Sequence, residues 1–172
     1  MEYKQLRCYF ADYLWNMSVL ESAAVGIVTR AVNSPYFSDE EKDFAKDIVL
    51  PDEQRHVRIM RRMAESVGQP IQLISVEPYD NLNDIQLLYA LHVVERDFSR
   101  RFDSVAKAFI HCNNNSDMYV DLLQIEADEQ KHIEWGRKIL TRLKKEGITW
   151  DKVNHLMARQ LSEKLKTILS NL

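Results

Sequence analysis

The stretch Asp52-Glu53-Gln54-Arg55-His56 lies inside an apolar-periodic run, and 76 residues later the chain nearly repeats it as Asp128-Glu129-Gln130-Lys131-His132. Residues three apart share one face of an α-helix, so Glu53 and His56 point the same way, as do Glu129 and His132. Acids and imidazoles on faces that otherwise suit burial need partners, because an unpaired buried charge is far costlier than a solvated one. Any fold proposed for this chain has to satisfy both pairs.

The rest of the sequence supplies a helical frame for them. Only four glycines and four prolines occur in 172 residues, and most fall between periodic segments. The first helix is expected from about Leu6 to about Val32, with Leu14, Met17, Glu21, Ala24 and Val28 on one stripe. Asn33-Ser34-Pro35 breaks it. Ser38 with Glu41 three residues later is a capping box for a second helix that runs to about Val67 and stops at Gly68. Pro51 falls inside that helix, where it is expected to bend or split it. The stretch from Gln69 to Asn83 has no sustained periodicity and reads as a long crossover. A third helix follows from about Asp84 to about His111. A fourth begins after Asn113-Asn114-Asn115-Ser116 and ends near Glu146, with Lys144 and Lys145 suited to the dipole and Gly147 to the position beyond the cap. A shorter C-terminal helix opens at Thr149 and carries Val153, Leu156, Leu161, Leu165 and Leu169. Short, long and short connections give an all-α, antiparallel four-helix bundle with one long crossover and an additional C-terminal helix, in a single domain spanning 1–172.

On this frame each long helix carries one inward acid: Glu21, Glu53, Glu95 and Glu129. Glu21 lies 11 residues before Val32 and Glu53 lies 15 after Ser38; Glu95 lies 16 before His111 and Glu129 lies 13 after Ser116. At the rise of an α-helix the mismatch within either hairpin is about 6 Å, so all four acids can meet at mid-bundle. Four carboxylates and the imidazoles of His56 and His132 cannot share an apolar core as bare charges. Two divalent cations resolve the conflict, and two Fe(II) ions match four carboxylates charge for charge. Carboxylate and imidazole donors suit iron, with manganese as an alternative and zinc as an adventitious occupant. Asp52 and Asp128 stand where each can accept a hydrogen bond from an imidazole on the adjacent helix, and Arg55 where it can compensate them.

These residues resemble the ferritin-like non-haem di-iron carboxylate superfamily. Asp52-Glu53-Gln54-Arg55-His56 is similar to the DExRH run of bacterial multicomponent hydroxylases and acyl carrier protein desaturases, and the second copy keeps that form with Lys131 in place of arginine. The resemblance implies that Glu21, Glu53, His56, Glu95, Glu129 and His132 are the metal ligands and catalytic centre, with Asp52 and Asp128 behind them. It further implies an enzyme that activates O2 to oxygenate or desaturate a small organic substrate, with a ferredoxin or reductase as electron donor. A rubrerythrin-like peroxide reductase or ferroxidase is the alternative within the superfamily, and a metal-free helical interaction module the alternative outside it. His92, one turn before Glu95, and Glu126, one turn before Glu129, stand as candidate extra ligands. Phe98 and Phe102, beyond Glu95, are candidates for an apolar substrate pocket. Tyr9, Tyr13, Trp15, Tyr89 and Trp135 read as packing residues.

Composition narrows the partners. A formal charge of -3, from 26 acidic and 23 basic residues, gives no footprint for nucleic acid or an anionic membrane. No apolar run approaches the roughly 20 residues that span a bilayer. Cys8 and Cys112 lack metal-site spacing, and with no disulfide framework a reducing, cytoplasmic setting is expected. The N-terminal run MEYKQLRCYFADYLW does not read as a secretory signal. A homodimer through the last helix is left open.

Overall fold

A computed structural model describes residues 3–68, 82–93, 95–96, 107 and 116–148. Every element among them is helical. α1 spans Tyr3–Val32 and α2 spans Asp39–Phe44; a single π-turn, Ala45–Val49, joins α2 to α3, Leu50–Val67. α4 comprises the helical residues 84–93 and 95–96, and α5 spans Ser116–Lys145. The expected C-terminal helix, the crossover, most of the second half of the third helix, Phe98, Phe102 and Cys112 lie outside the described residues, as do the side chains of Cys8 and Tyr9.

Pairings between the helices fix their directions. Phe10, Leu14 and Met17 of α1 pack with Met60, Met63 and Val67 of α3, while Ala24, Val28 and Ala31 pack with Ala45 and Val49 ahead of α3, so α1 and α3 run antiparallel. Arg142 reaches Tyr36 and Glu41, Asp128 meets Arg55 and Asp121 meets Arg62, so α5 runs antiparallel to the α2–α3 arm. Arg30, at the end of α1, donates to the Leu82 carbonyl at 3.0 Å and to Asp84 at 2.9 Å, pinning the start of α4 there. The end of α3 and the start of α4 therefore lie at opposite ends of the bundle, which is the geometry a long crossover has to serve.

The ends of the helices are set by local chemistry. Ser38 and Glu41 make the reciprocal capping box: the Ser38 amide donates to Glu41 Oε2 at 2.8 Å and the Glu41 amide to Ser38 Oγ at 3.2 Å. Asn83 and Gln86 repeat that exchange at the start of α4, a cap the sequence reading did not single out. At the end of α5, Gly147 adopts φ 80° and the Ile148 amide returns to the Leu143 carbonyl at 2.9 Å, closing a Schellman turn.

The interruption expected at Pro51 takes the form of a π-turn just before it rather than a break in the helical path. Backbone angles stay in the right-handed helical region through Phe44, Ala45, Val49 and Leu50, and the chain runs continuously from Asp39 to Val67. The Leu50 amide bonds back to the Ala45 carbonyl, five residues away, so the turn before Pro51 is widened. Pro51 then falls in the first turn of α3, where its missing N–H costs least.

The core has two apolar layers. One gathers Phe10, Tyr13, Leu14 and Met17 of α1 with Met60 and Met63 of α3 and Leu122 and Ile125 of α5. The other gathers Val28 of α1, Val49, Leu88 and Leu91 of α4, and Trp135, Ile139 and Leu143 of α5. Trp135 stacks on Phe37 and Phe44 and donates its indole N–H to the Glu41 carbonyl at 3.2 Å, the packing role read for it. Each large side chain so buried stabilises the fold by about 1.5–3 kcal/mol. Between the two layers α1, α3, α4 and α5 each contribute ionisable residues.

Candidate metal centre

The level between the apolar layers holds Glu21, Glu53, His56, Glu95, Glu129 and His132, all buried, with Glu53, His56 and His132 at 0% exposure. The three-residue spacing places Glu53 and His56 on the inner face of α3, and Glu129 and His132 on the inner face of α5. Glu21 and Glu95 replace one apolar residue each on α1 and α4. The six residues fall into two groups whose donor atoms lie within 4.8 Å of one another: Glu21, Glu53, His56 and Glu129 in one, and Glu53, Glu95 and His132 in the other. Glu53 belongs to both.

Both imidazoles turn Nδ1 inward. His56 Nδ1 lies 3.1 Å from Glu129 Oε1 and 3.8 Å from Glu21 Oε2; His132 Nδ1 lies 3.0 Å from Glu53 Oε1 and 3.8 Å from Glu129 Oε1. Each ring therefore reaches the glutamate of the opposite helix, and Glu53 and Glu129 lie between the two rings. On the outer side His132 Nε2 faces Asp52 Oδ2 at 3.4 Å, and His56 Nε2 faces Asp128 Oδ2 at 3.7 Å, the cross-helix pairing expected from sequence. Arg55 donates to both aspartates.

The electrostatics describe a cage that is uncomfortable with protons alone. Burial, then the negative charges of Glu21, Glu129 and Glu95, push the Glu53 carboxyl well above its ordinary range. Burial and Glu129 do the same to Glu95. Burial and Glu21 lift Glu129 to about 7, against the pull of His56. Burial opposes the His56 imidazolium, yet Glu129 and Glu21 outweigh it and raise the ring to about 10. His132 goes the other way, lowered to about 4 by burial and by the charge on His56. Burial would raise Glu21 too, but Glu53 and His56 beside it hold it below its usual value.

Eight buried side-chain atoms of this cluster have no hydrogen-bond partner: both carboxyl oxygens of Glu53, both ring nitrogens of His56 and His132, and one oxygen each of Glu95 and Glu129. Orphaned buried polar atoms are rare in folded proteins, and here most of those among the described residues converge on one point. A closed hydrogen-bond network would have left few of them. Carboxylate oxygens and inward imidazole nitrogens are instead the donor set of a hard-to-borderline divalent cation, so the residues fit a metal pair. The bundle and its two carboxylate–histidine clusters are consistent with a ferritin-like di-iron fold.

Two sequence candidates stay outside the clusters. Neither ligand group includes His92 or Glu126. His92 packs on α5 at Gly136, where an added Cβ would sit 3.2 Å from its Nδ1, and burial with the nearby Arg96 and Arg137 keeps it neutral by lowering its pKa. Glu126 is half-buried on the side of α5. Comparison of the chain with protein-family models, with curated proteins and with solved structures gave no match.

Proposed function

We propose that this chain is a non-haem di-iron oxidoreductase of the ferritin-like kind that uses O2 to oxygenate or desaturate a small organic substrate. The observation that carries the reading is the convergence of four buried carboxylates and two buried imidazoles, eight of whose side-chain atoms have no hydrogen-bond partner. In this reading Glu21, Glu53, His56 and Glu129 would hold one ion, and Glu53, Glu95 and His132 would hold the other. Iron bound there would supply the electrons that O2 reduction needs, and manganese would suit the same donors. The chain's own part is to hold the six donors on four helices, to keep both Nδ1 atoms inward, and to exclude water with the apolar layers on either side. Asp52 and Asp128, which face the outer ring nitrogens, would orient the rings once Nδ1 is bound. A ferredoxin or reductase returns the electrons, and O2 and a small organic molecule are the reactants.

Single turnover separates this reading from its neighbours. Iron-loaded protein, reduced anaerobically and then given O2 with a panel of small organic molecules, is expected to yield a product that has gained oxygen from O2 or lost two hydrogens. Rapid consumption of hydrogen peroxide by the reduced protein, with every organic molecule returned intact, would move the assignment to a rubrerythrin-like peroxide reductase or ferroxidase.

A further inference from the structure

The two aspartates behind the imidazoles are supported unequally. Asp128 is 2% exposed and meets Arg55, Lys131 at 2.8 Å and the Gln124 amide at 3.1 and 3.3 Å. Asp52 is more exposed, and among the described residues its side chain meets only Arg55, at 2.9 Å, and the His132 ring. One guanidinium nitrogen, Nη2 of Arg55, serves both carboxylates. The second motif, with Lys131 in the corresponding place, sends its ammonium to Asp128 on its own helix rather than across to Asp52.

Removing Arg55 thus leaves Asp128 with Lys131 and Gln124, and leaves Asp52 with the His132 ring alone among these residues. Asp52 is the carboxylate that faces His132. The consequence runs against sequence proximity: Arg55 stands beside His56, yet the ring whose outer support depends on it is His132, on another helix.

We propose that Arg55 is the positioning residue shared by both imidazole ligands, and that it governs the metal subsite of Glu95 and His132 more strongly than the subsite of Glu21 and His56. The proposal rests on the metal-binding part of the function given above and on none of its redox chemistry. Carboxylates that orient a ligating histidine typically change metal affinity by about ten- to a hundredfold when lost, which sets the scale for an arginine acting through one.

The test is anaerobic Co(II) titration of the full chain, read by ligand-field absorption. E21A leaves the Glu95–His132 subsite and E95A leaves the Glu21–His56 subsite, so each background reports one ion. Adding Arg55→Met to E21A is expected to weaken Co(II) binding tenfold or more, and adding it to E95A to weaken binding less than threefold. Asp52→Asn should reproduce the first effect and not the second. Arg55→Lys, which keeps a cation within reach of Asp52, should recover most of the affinity lost in the E21A background. Equal or greater weakening in the E95A background would overturn the proposal, as would a silent Asp52→Asn; if Arg55→Met fails to fold, Asp52→Asn in the two backgrounds decides the matter. A wild-type chain that binds no Co(II) would remove the metal reading itself, whereas two ions bound with Arg55→Met inert in both backgrounds would remove this inference alone.

Discussion

α3 and α5 carry the same five-residue pattern and face each other across the centre, but they give it different surroundings. On α5 the motif sits within 30 uninterrupted helical residues, with Asp128 held by three donors. On α3 it follows a π-turn and a proline, with Asp52 held by one arginine. The imidazoles diverge as well, His56 against its burial upward to about 10 through Glu129 and Glu21, and His132 downward to about 4 through burial and the charge on His56. A repeated motif specifies which atoms point inward; the surroundings of each copy decide how each atom behaves.

The largest expected effect tests what the halves have in common. Saturating Fe(II) or Co(II), at about a thousand times the dissociation constant, should stabilise the fold by about 4 kcal/mol per site, seen as a rise in Tm. Loading has to displace protons from Glu53, Glu95, His56 and part of Glu129 at neutral pH, so affinity should increase with pH and binding should release protons into weak buffer. Affinity independent of pH between 6 and 8 would contradict the electrostatics of the cage.

The metal-free chain should reveal the difference between the halves. Glu53→Leu is expected to abolish metal binding and yet raise the stability of the metal-free fold by about 1–4 kcal/mol, since it removes a buried acid crowded by others. Glu129→Leu should gain less, because it also removes the partner of the His56 imidazolium. Urea denaturation of both variants in chelator ranks them, and a larger gain for Glu129→Leu would reverse the comparison.

The histidines should impose opposite pH slopes. His56 is raised in the fold, so its contribution is complete below about 6.5 and fades as pH rises through about 10. His132 is lowered, so its contribution is complete above about 6.5 and fades as pH falls through about 4. In metal-free protein, the stability deficit of His56→Ala should therefore shrink toward high pH, and that of His132→Ala should shrink toward low pH. Parallel profiles would mean that the inner carboxylates and the charge between the rings do not distinguish the two imidazoles.

The smallest effect concerns how the helices are held. Glu41 closes the cap of α2 and takes two donors from Arg142 of α5, at 2.9 and 2.6 Å. Glu41→Ala should cost about 1–2 kcal/mol by thermal or urea unfolding while leaving two metal ions bound. Because the Arg142 contact and the Ser38 amide hold Glu41 below its usual pKa despite partial burial, its contribution is present at neutral pH and lost as pH falls through the acid range. Loss of metal in this variant would show that the clamp, rather than the inner helix faces, sets the cage.

Much of this arrangement was legible in the sequence because it follows from local rules. Ser38 and Glu41 announce a cap, Gly147 a C-terminal turn, and three-residue spacing puts Glu53 with His56 and Glu129 with His132. The convergence of Glu21 and Glu95 was legible only by counting residues from the helix ends. What depended on partners was not legible. Pro51 suggested a break, but the chain absorbed it in a π-turn through the Leu50 amide, a choice that no single residue dictates. His92 shares a helix stripe with Glu95, yet it settles on Gly136 because a glycine there leaves room for the ring. Arg55 was legible as a cation that could compensate both outer aspartates, and it donates to each; that Asp128 has further donors and Asp52 does not shows only in the geometry.

The most direct measurement is anaerobic Fe(II) titration with elemental analysis, comparing wild type with a Glu53→Ala, Glu129→Ala double variant purified in parallel. The account predicts two irons per wild-type chain and none retained by the variant. A wild-type chain that takes up no iron, or a variant that keeps both ions, would contradict it.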